Sequence, residues 1–378
     1  MDIGILSQCC IPVRRRVRYH PTGQGCRLPG LRRQRAKEKK VSRMVRFQRQ
    51  ASRWMQRLRV AAFISAALFC VLVAPAHAAD RLRIAVQKTG TLAWEIGVIR
   101  AQGLDKEADL DLQIVDVASL DAAIIAMRSG AADIIVTDWL WVSRERSLGA
   151  NFVFYPYSSA IGAVVTNPAK GVTSLRDLIG RKLAVAGGPL DKSWLLLQAW
   201  TRRSGLDLRR ATNVVYGAPP LLAEKAAQGE VDAALEYWNF CADLEARGFT
   251  RLIEIADVEK ELGARGPVAA IGYVFDGGFA ARHRDALQRF FATARRAKQL
   301  IATSPEAWQI VAKQLPSKSP EALAAYRKYY ARGIPAREVE EEEEDARRLF
   351  KVLADIGGSE LVGTADTLAP GTYYKSGS

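Results

Sequence analysis

The sequence predicts an α/β protein of two similar lobes, each a mainly parallel sheet flanked by helices. Three observations carry that expectation. Strand-like and helix-like segments alternate from residue 80 to about residue 240. The same order of segments occurs twice, about a hundred residues apart. Residues 80–378 form a stretch long enough to bury a full core without covalent staples and to fill two lobes.

The first copy opens with RLRIAVQ (81–87), where Leu82, Ile84 and Val86 alternate as in a half-buried strand. A polar loop follows, then a helix from about Trp94 that stops at Gly103-Leu104, where glycine supplies the positive φ of a helix end. LQIVDV (112–117) is a strand, and a helix from about Leu120 to Ser129 stops at Gly130. Asp133 opens an apolar strand, DIIVT, that runs into Asp138-Trp139-Leu140-Trp141.

The second copy repeats this order. KLAVAGG (182–188) is a strand with a glycine exit, and a helix from about Ser193 stops at Gly205-Leu206. NVVYG (213–217) is a strand, and a helix after Pro219-Pro220 stops at Gly229. Asp232 opens DAALE, which runs into Tyr237-Trp238-Asn239-Phe240. IGAVVTN (161–167) and PVAAIGYVFD (267–276) read as strands that cross between the copies, and helices are expected over 281–302, 305–314, 320–330 and 339–355. The expected division is therefore one lobe of 80–162 plus 275–378 and one of 163–274, with two crossings forming a hinge.

The formal charge of +15 would suggest a nucleic-acid binder, but its distribution excludes one. Residues 1–79 hold 17 Lys/Arg and 2 Asp/Glu, whereas residues 80–378 hold 38 of each sign. A nucleic-acid groove would place the excess on the folded domain. The basic stretch precedes an apolar run, Val60 to Ala74, that ends in Ala76-His77-Ala78. A charged region, a short apolar run and a small-x-small exit form a secretory signal peptide, expected over 44–78. Residues 1–43 read as a disordered basic arm or as a start-site artefact, since Met44 and Met55 would each begin a more ordinary leader. The expected location is the periplasm. Four of five cysteines precede residue 79, leaving Cys241 and one histidine, His283, in the folded part. That set offers no disulfide, metal cluster, Cys/His pair or catalytic triad, and no cofactor is expected.

Parallel sheets bind ligands beside the carboxyl ends of their strands. The repeat therefore nominates four loops, 88–94, 137–142, 187–194 and 236–240, facing one another across a cleft. Lys88, Thr89 and Gly90 form the first strand-end loop ahead of Trp94, and its N–H groups either meet a ligand or simply turn. Gly187 and Gly188 are candidates to cradle a ligand with backbone N–H groups, followed by Asp191, Lys192 and Ser193. Trp139 and Tyr237 are expected to face the cleft, as aromatic residues commonly line pockets. Asp138 and Glu236 each emerge from an apolar strand at the cleft. Asp138 equally suits a helix N-cap, whereas Glu236 is expected to face a ligand amine, amide, cationic nitrogen or hydroxyl. The run from Glu340 to Asp345 reads as a solvated helix face.

Three stretches resemble a known family. They are Ala126-Met127-Arg128-Ser129-Gly130-Ala131-Ala132-Asp133-Ile134, then Ser174-Leu175-Arg176-Asp177-Leu178-Ile179-Gly180-Arg181-Lys182-Leu183-Ala184-Val185, then Gly229-Glu230-Val231-Asp232-Ala233. In this order they resemble substrate-binding proteins of ABC importers, the nitrate/sulfonate/taurine group, which includes binders of thiamine-pyrimidine precursors. The resemblance spans 80–378. It implies a type II periplasmic binding fold, a ligand clamped at the hinge, and a membrane permease as partner to a monomer without enzymatic activity. The same fold hosts thiamine-pyrimidine-synthase-like enzymes, and a periplasmic sensor or accessory binder is a further alternative. The chain departs from the sulfonate binders where Gly187-Gly188-Pro189-Leu190-Asp191 replaces a small polar stretch. It departs again where Glu236-Tyr237-Trp238-Asn239-Phe240 lacks a proline.

Overall fold

The structure, a computed structural model, describes residues 79–88 and 90–375 together with Met44, Trp54 and Met55. The leader and Thr89 lie outside these residues. Ten strands and fourteen helices follow one another in the described part from residue 79 onward.

The first sheet is begun by β1 (Asp80–Gln87), which leads through α1 (Thr91–Ala101) and α2 (Leu104–Glu107) to β2 (Leu110–Val117). Next come α3 (Leu120–Arg128), β3 (Ile135–Thr137), α4 (Trp139–Ser147) and β4 (Phe152–Ser158). The second sheet is begun by β5 (Ala163–Thr166) and continues with β6 (Lys182–Ala186), α5 (Lys192–Arg203), α6 (Leu208–Ala211), β7 (Asn213–Gly217) and α7 (Pro219–Ala227). It is completed by β8 (Ala233–Glu236), α8 (Trp238–Ala246), β9 (Thr250–Glu254) and α9 (Ile255–Glu261). The chain then returns as β10 (Ile271–Asp276) and ends in five helices: α10 (Gly277–Arg282), α11 (Arg284–Thr303), α12 (Pro305–Ala312), α13 (Pro320–Arg332) and α14 (Val339–Val362).

The two sheets share one topology. In the second the order is β7-β6-β8-β5-β9, with β6 parallel to β7 and β8 and with β5 antiparallel to β8 and β9. In the first, β2 pairs parallel with β1, and β10 runs antiparallel between β3 and β4. A parallel bridge at Ile84 and Ile134 joins β1 to β3, and the Ala85 N–H donates to the Ile134 carbonyl at 2.9 Å. The order is thus β2-β1-β3-β10-β4. In each sheet the single strand antiparallel to its neighbours is the one that enters from the other half of the chain, which is how a two-lobed periplasmic binding fold is stitched together.

The crossings lie side by side. Residues 159–162 leave β4 for β5, residues 267–270 lead back into β10, and the Ala270 N–H donates to the Ser158 carbonyl at 2.8 Å. Gly162 has no alternative, because a Cβ there would sit 1.7 Å from the Glu236 carbonyl oxygen. The returning crossing is pinned by α14. Asp345 accepts from the Arg265 and Gly266 N–H groups at 2.9 and 3.2 Å, and Glu342 accepts from Ala269 at 3.0 Å.

Several expectations change here. β4 and β9 were not foreseen; each is the edge strand beside the crossing strand of its sheet. The acidic run is not a solvated face throughout: Glu342, Glu343 and Asp345 are buried, while Glu340, Glu341 and Glu344 are exposed. His283 is not inside a helix. It joins α10 to α11 and stacks on Phe279.

Candidate functional site

The strand ends of both sheets converge on one cavity of about 640 Å³, within the size range of small-molecule sites. Its floor is the pair of crossings, Ala160, Ile161 and Gly162 beside Ala270 and Ile271. The first sheet supplies Gly90 and Thr91 at the start of α1, Thr137 at the end of β3 with Asp138 just after it, and Trp141 and Arg144 on α4. The second supplies Leu190, Asp191, Lys192 and Ser193 around the start of α5, and Tyr237 and Trp238 at the start of α8. Leu92, Val136, Leu140 and Leu361 make much of the wall apolar.

Four helix N-termini meet here, and they differ. Asp138 caps α4 by accepting from the Trp141 N–H at 2.9 Å, and Asp191 caps α5 by accepting from the Trp194 N–H at 3.2 Å. The helices α1 and α8 begin at Gly90 and Tyr237 without a side-chain cap. The cap reading of Asp138 is therefore realised, and the same carboxylate still reaches the cavity. Its Oδ2 lies 3.2 Å from Lys192 Nζ, an ion pair that runs from one sheet's helix to the other's. Lys192 also donates to the Ala270 carbonyl at 3.3 Å.

On the second-sheet side, the Tyr237 hydroxyl donates to Asp191 Oδ2 at 3.2 Å. Burial, then the Asp191 charge, holds the Tyr237 phenol well above its ordinary range, so it remains a neutral donor. Burial also raises the Asp191 carboxyl, against the pull of the Trp194 N–H and Lys192. On the first-sheet side, the Tyr157 hydroxyl donates to Thr91 Oγ1 at 2.9 Å, and both residues line the cavity. The buried Lys298 ammonium sits 3.8 Å from the Tyr157 ring centre and is ion-paired with the buried Glu95, which also accepts from the Tyr273 hydroxyl. This network holds Tyr157 and Thr91 rigidly as a wall.

Among the residues singled out from sequence, Gly90, Asp138, Asp191, Ser193 and Tyr237 lie on the cavity wall. Lys88 does not; it is exposed and 3.6 Å from Asp116. Trp94 is buried in an aromatic cluster with Trp238, Tyr326 and Tyr330. Trp139 is buried in the core, and Trp141 lines the cavity in its place. Residues two apart on a helix face different ways, and the side facing the cavity is that of Asp138 and Trp141. Gly187, at φ +89°, packs behind the wall against the Tyr237 hydroxyl and Asp191, and Gly188 is likewise off the wall.

Glu236 departs furthest from expectation. It is 1% exposed and absent from the cavity wall, and neither carboxyl oxygen has a hydrogen-bond partner. Side chains alternate along a strand, so Glu236 shares the face of Ala234, toward α8. Burial first, and the Asp191 charge after it, pushes its pKa up to about 9. It is a neutral acid at pH 7, not a carboxylate offered to a ligand. Sequence reasoning missed Tyr157, Arg144, Glu360 and Leu361 on the wall. The aromatic residues of FVFYPYS (152–158) hinted at a packed segment, but its proline hid the strand that carries Tyr157; Glu360 and Leu361 gave no signal.

Comparison with known proteins supports this reading of the fold. Residues 96–308 match the family model described as NMT1/THI5 like. No curated protein matches the chain. The periplasmic aliphatic sulphonate binding protein SsuA from Escherichia coli is similar in structure at a TM-score of 0.62 and 19% identity, over 78% of this chain and 92% of that one. The alkanesulfonate-binding protein SsuA from Xanthomonas axonopodis pv. citri, bound to MOPS, aligns at 0.58 and 16% identity over 78% and 98%. An ABC transporter protein from Parabacteroides distasonis aligns at 0.59 and 13% identity over 78% and 99%. These likenesses concern the fold. The family model spans more than half of the chain, and the protein belongs to the NMT1/THI5-like family.

Proposed function

We propose that the protein is the extracytoplasmic solute-binding component of an ABC importer, which clamps a small organic molecule between two lobes and delivers it to a membrane permease. The observation that carries this reading is the cavity itself. It is floored by the two segments that, among the described residues, cross between the sheets, and walled by helix starts from both. A molecule bound there touches both halves of the chain, so its affinity is linked to their approach. The sequence places the second boundary at 274/275; because β10 pairs with β3 and β4, the lobes in this reading are residues 80–162 with about 271–378, and residues 163 to about 270. In the same reading the secretory leader expected from the sequence directs the protein to the periplasm, where it acts as a monomer. Among the described residues no helix is long and apolar enough to cross a membrane, which suits a protein that meets its permease from outside.

A binding role without chemistry is favoured over the enzyme alternative by how the polar groups are employed. Asp138 and Asp191 cap helices, and Lys192 is engaged by Asp138 and a carbonyl. The test is a thermal-shift screen of sulfonates including MOPS, aminopyrimidines, amines and aromatic acids. A true ligand at a hundred times its Kd adds about 2.7 kcal/mol of stability, a shift of several degrees. Turnover of a stabilising compound would overturn the non-enzymatic reading, and a panel without any stabiliser would count against a binding role for compounds of these classes.

A further inference from the structure

The last turn of α14 is not continuous with the rest of the helix. Gly358 has φ 62° and ψ −163°, and Gly363, the residue after the turn, has φ 72° and ψ −139°. Both are backbone states that glycine takes freely and other residues take only under strain. Residues 359–362 therefore form one helical turn slung between two glycine joints.

The chain on either side is fixed. Before the joint, Leu349, Phe350 and Leu353 are buried. After it, the Ala369 N–H donates to Ser143 Oγ at 2.8 Å, and Thr372 and Tyr374 pair with Phe154 on β4. The turn spans the mouth between these anchors. Gly357 lies against Leu195 of α5, and Gly363 lies against Arg144 of α4, so the segment touches a helix from each sheet. Glu360 and Leu361 line the cavity.

We propose that the turn at 359–362 is a strap that closes the cavity mouth, and that Glu360 on it selects ligands bearing a positive or N–H-donating group. The proposal rests on reading the cavity as the solute site. The charges on its wall support the choice of ligand. Asp138 and Lys192 neutralise each other. Asp191 and Glu360 share the wall with Arg144, which makes no ion pair among the described residues. The remaining balance is one negative charge. Leu361 adds apolar surface, so the complementary ligand has an apolar body with a donor or cationic end. The two glycine joints let the strap shift without unfolding the rest of α14, although lifting it uncovers the buried Val362.

The test needs no identified ligand. Ile161→Cys places a thiol on the cavity floor. In the secreted protein, with the leader and its four cysteines removed, the native Cys241 is buried with its thiol pushed up to about 12 and stays silent. Two methanethiosulfonates of similar size, one with a trimethylammonium group and one with a sulfonate, report access and charge together. In the Ile161→Cys background the cationic reagent should react faster. Glu360→Gln should lower the cationic-to-anionic rate ratio by about three- to tenfold. Leu361→Ala should speed both reagents alike, and Glu340→Gln, on the exposed start of α14, should change neither. An unchanged ratio in Glu360→Gln would overturn the selectivity. Unchanged rates in Leu361→Ala, or a thiol inert in every background, would overturn the strap. Labelling can fail while the ligand screen succeeds, and the reverse, so the two readings are separable.

Discussion

At the scale of single residues, Glu236 shows how burial can reverse a role. A carboxyl at the end of an apolar strand looks like a ligand group because burying an ion without a partner is costly. The chain avoids that cost by protonating the group. A folded pKa near 9 against an unfolded value near 4.5 means the folded state binds the extra proton. Stability is therefore unaffected below about pH 4.5 and falls as pH rises toward 9, by about 3 kcal/mol at pH 7. Glu259 and Glu342, raised mainly by burial to about 8 and about 7, act in the same direction. We expect the melting temperature to fall from pH 5.5 to pH 8.5. Glu236→Gln, which has nothing to ionise, should gain on the parent progressively across that range. A parent-to-variant gap that is the same at both ends would show that Glu236 is ionised in the folded protein. The site was legible where position alone decides exposure, as for Asp138 and Asp191 at helix starts. It was not legible where side-chain direction decides, as for Trp139 against Trp141, because a one-residue uncertainty in a helix start rotates the facing side by 100°.

At the scale of elements, the repeated strand–helix order could be read because each unit is bounded by glycine and alternates in hydrophobicity. The strands β4 and β9 could not be, since an edge strand such as β4, FVFYPYS, carries a proline that argues against a strand in isolation. The acidic start of α14 misled for a different reason. Charge runs are usually solvated, but a helix with buried carboxylates can satisfy them on backbone N–H groups, and here that backbone is the returning crossing. Asp345 accepts from Arg265 and Gly266 and is ion-paired with Arg337 at 2.8 Å, and those contacts hold its carboxyl below the usual range despite burial. Asp345→Ala would leave two crossing N–H groups without a partner and Arg337 with only Glu341 and the Pro267 carbonyl. The expected loss is about 3 kcal/mol, read by chemical denaturation. Glu344→Ala, one residue away but exposed, should cost well under 1 kcal/mol. Equal losses in the two variants would mean that the acidic run acts only as a charged surface.

At the scale of the whole molecule, a clamp must be held shut weakly enough to open. Several contacts join the two halves away from the crossings, among them the buried packing of Trp238 on Trp94, Tyr326 and Tyr330. The Tyr329 hydroxyl of α13 donates to Glu245 of α8 at 2.9 Å, with the Arg251 guanidinium 3.7 Å from the Tyr329 ring centre. The C-terminal part of α14 leans on α5 through Gly357 and Leu195. Lys192 reaches Asp138 across the cavity itself. This last contact spans the cavity and must break if the mouth is to open. A partly exposed ion pair is worth about 1 kcal/mol, enough to change an open-to-closed ratio about fivefold without locking it. Lys192→Ala should therefore move the empty protein toward the open form. Small-angle scattering should show a larger radius of gyration for the variant than for the parent without ligand. The two should converge when each is saturated with the best compound from the screen, because ligand contacts then supply the closure that Lys192 no longer does. The variant should also bind that compound several-fold more weakly, since part of the binding energy is spent on closing the lobes. If scattering from the empty variant and parent coincides, the ion pair does not govern the hinge, and closure rests on the strap and the helices that span both sheets.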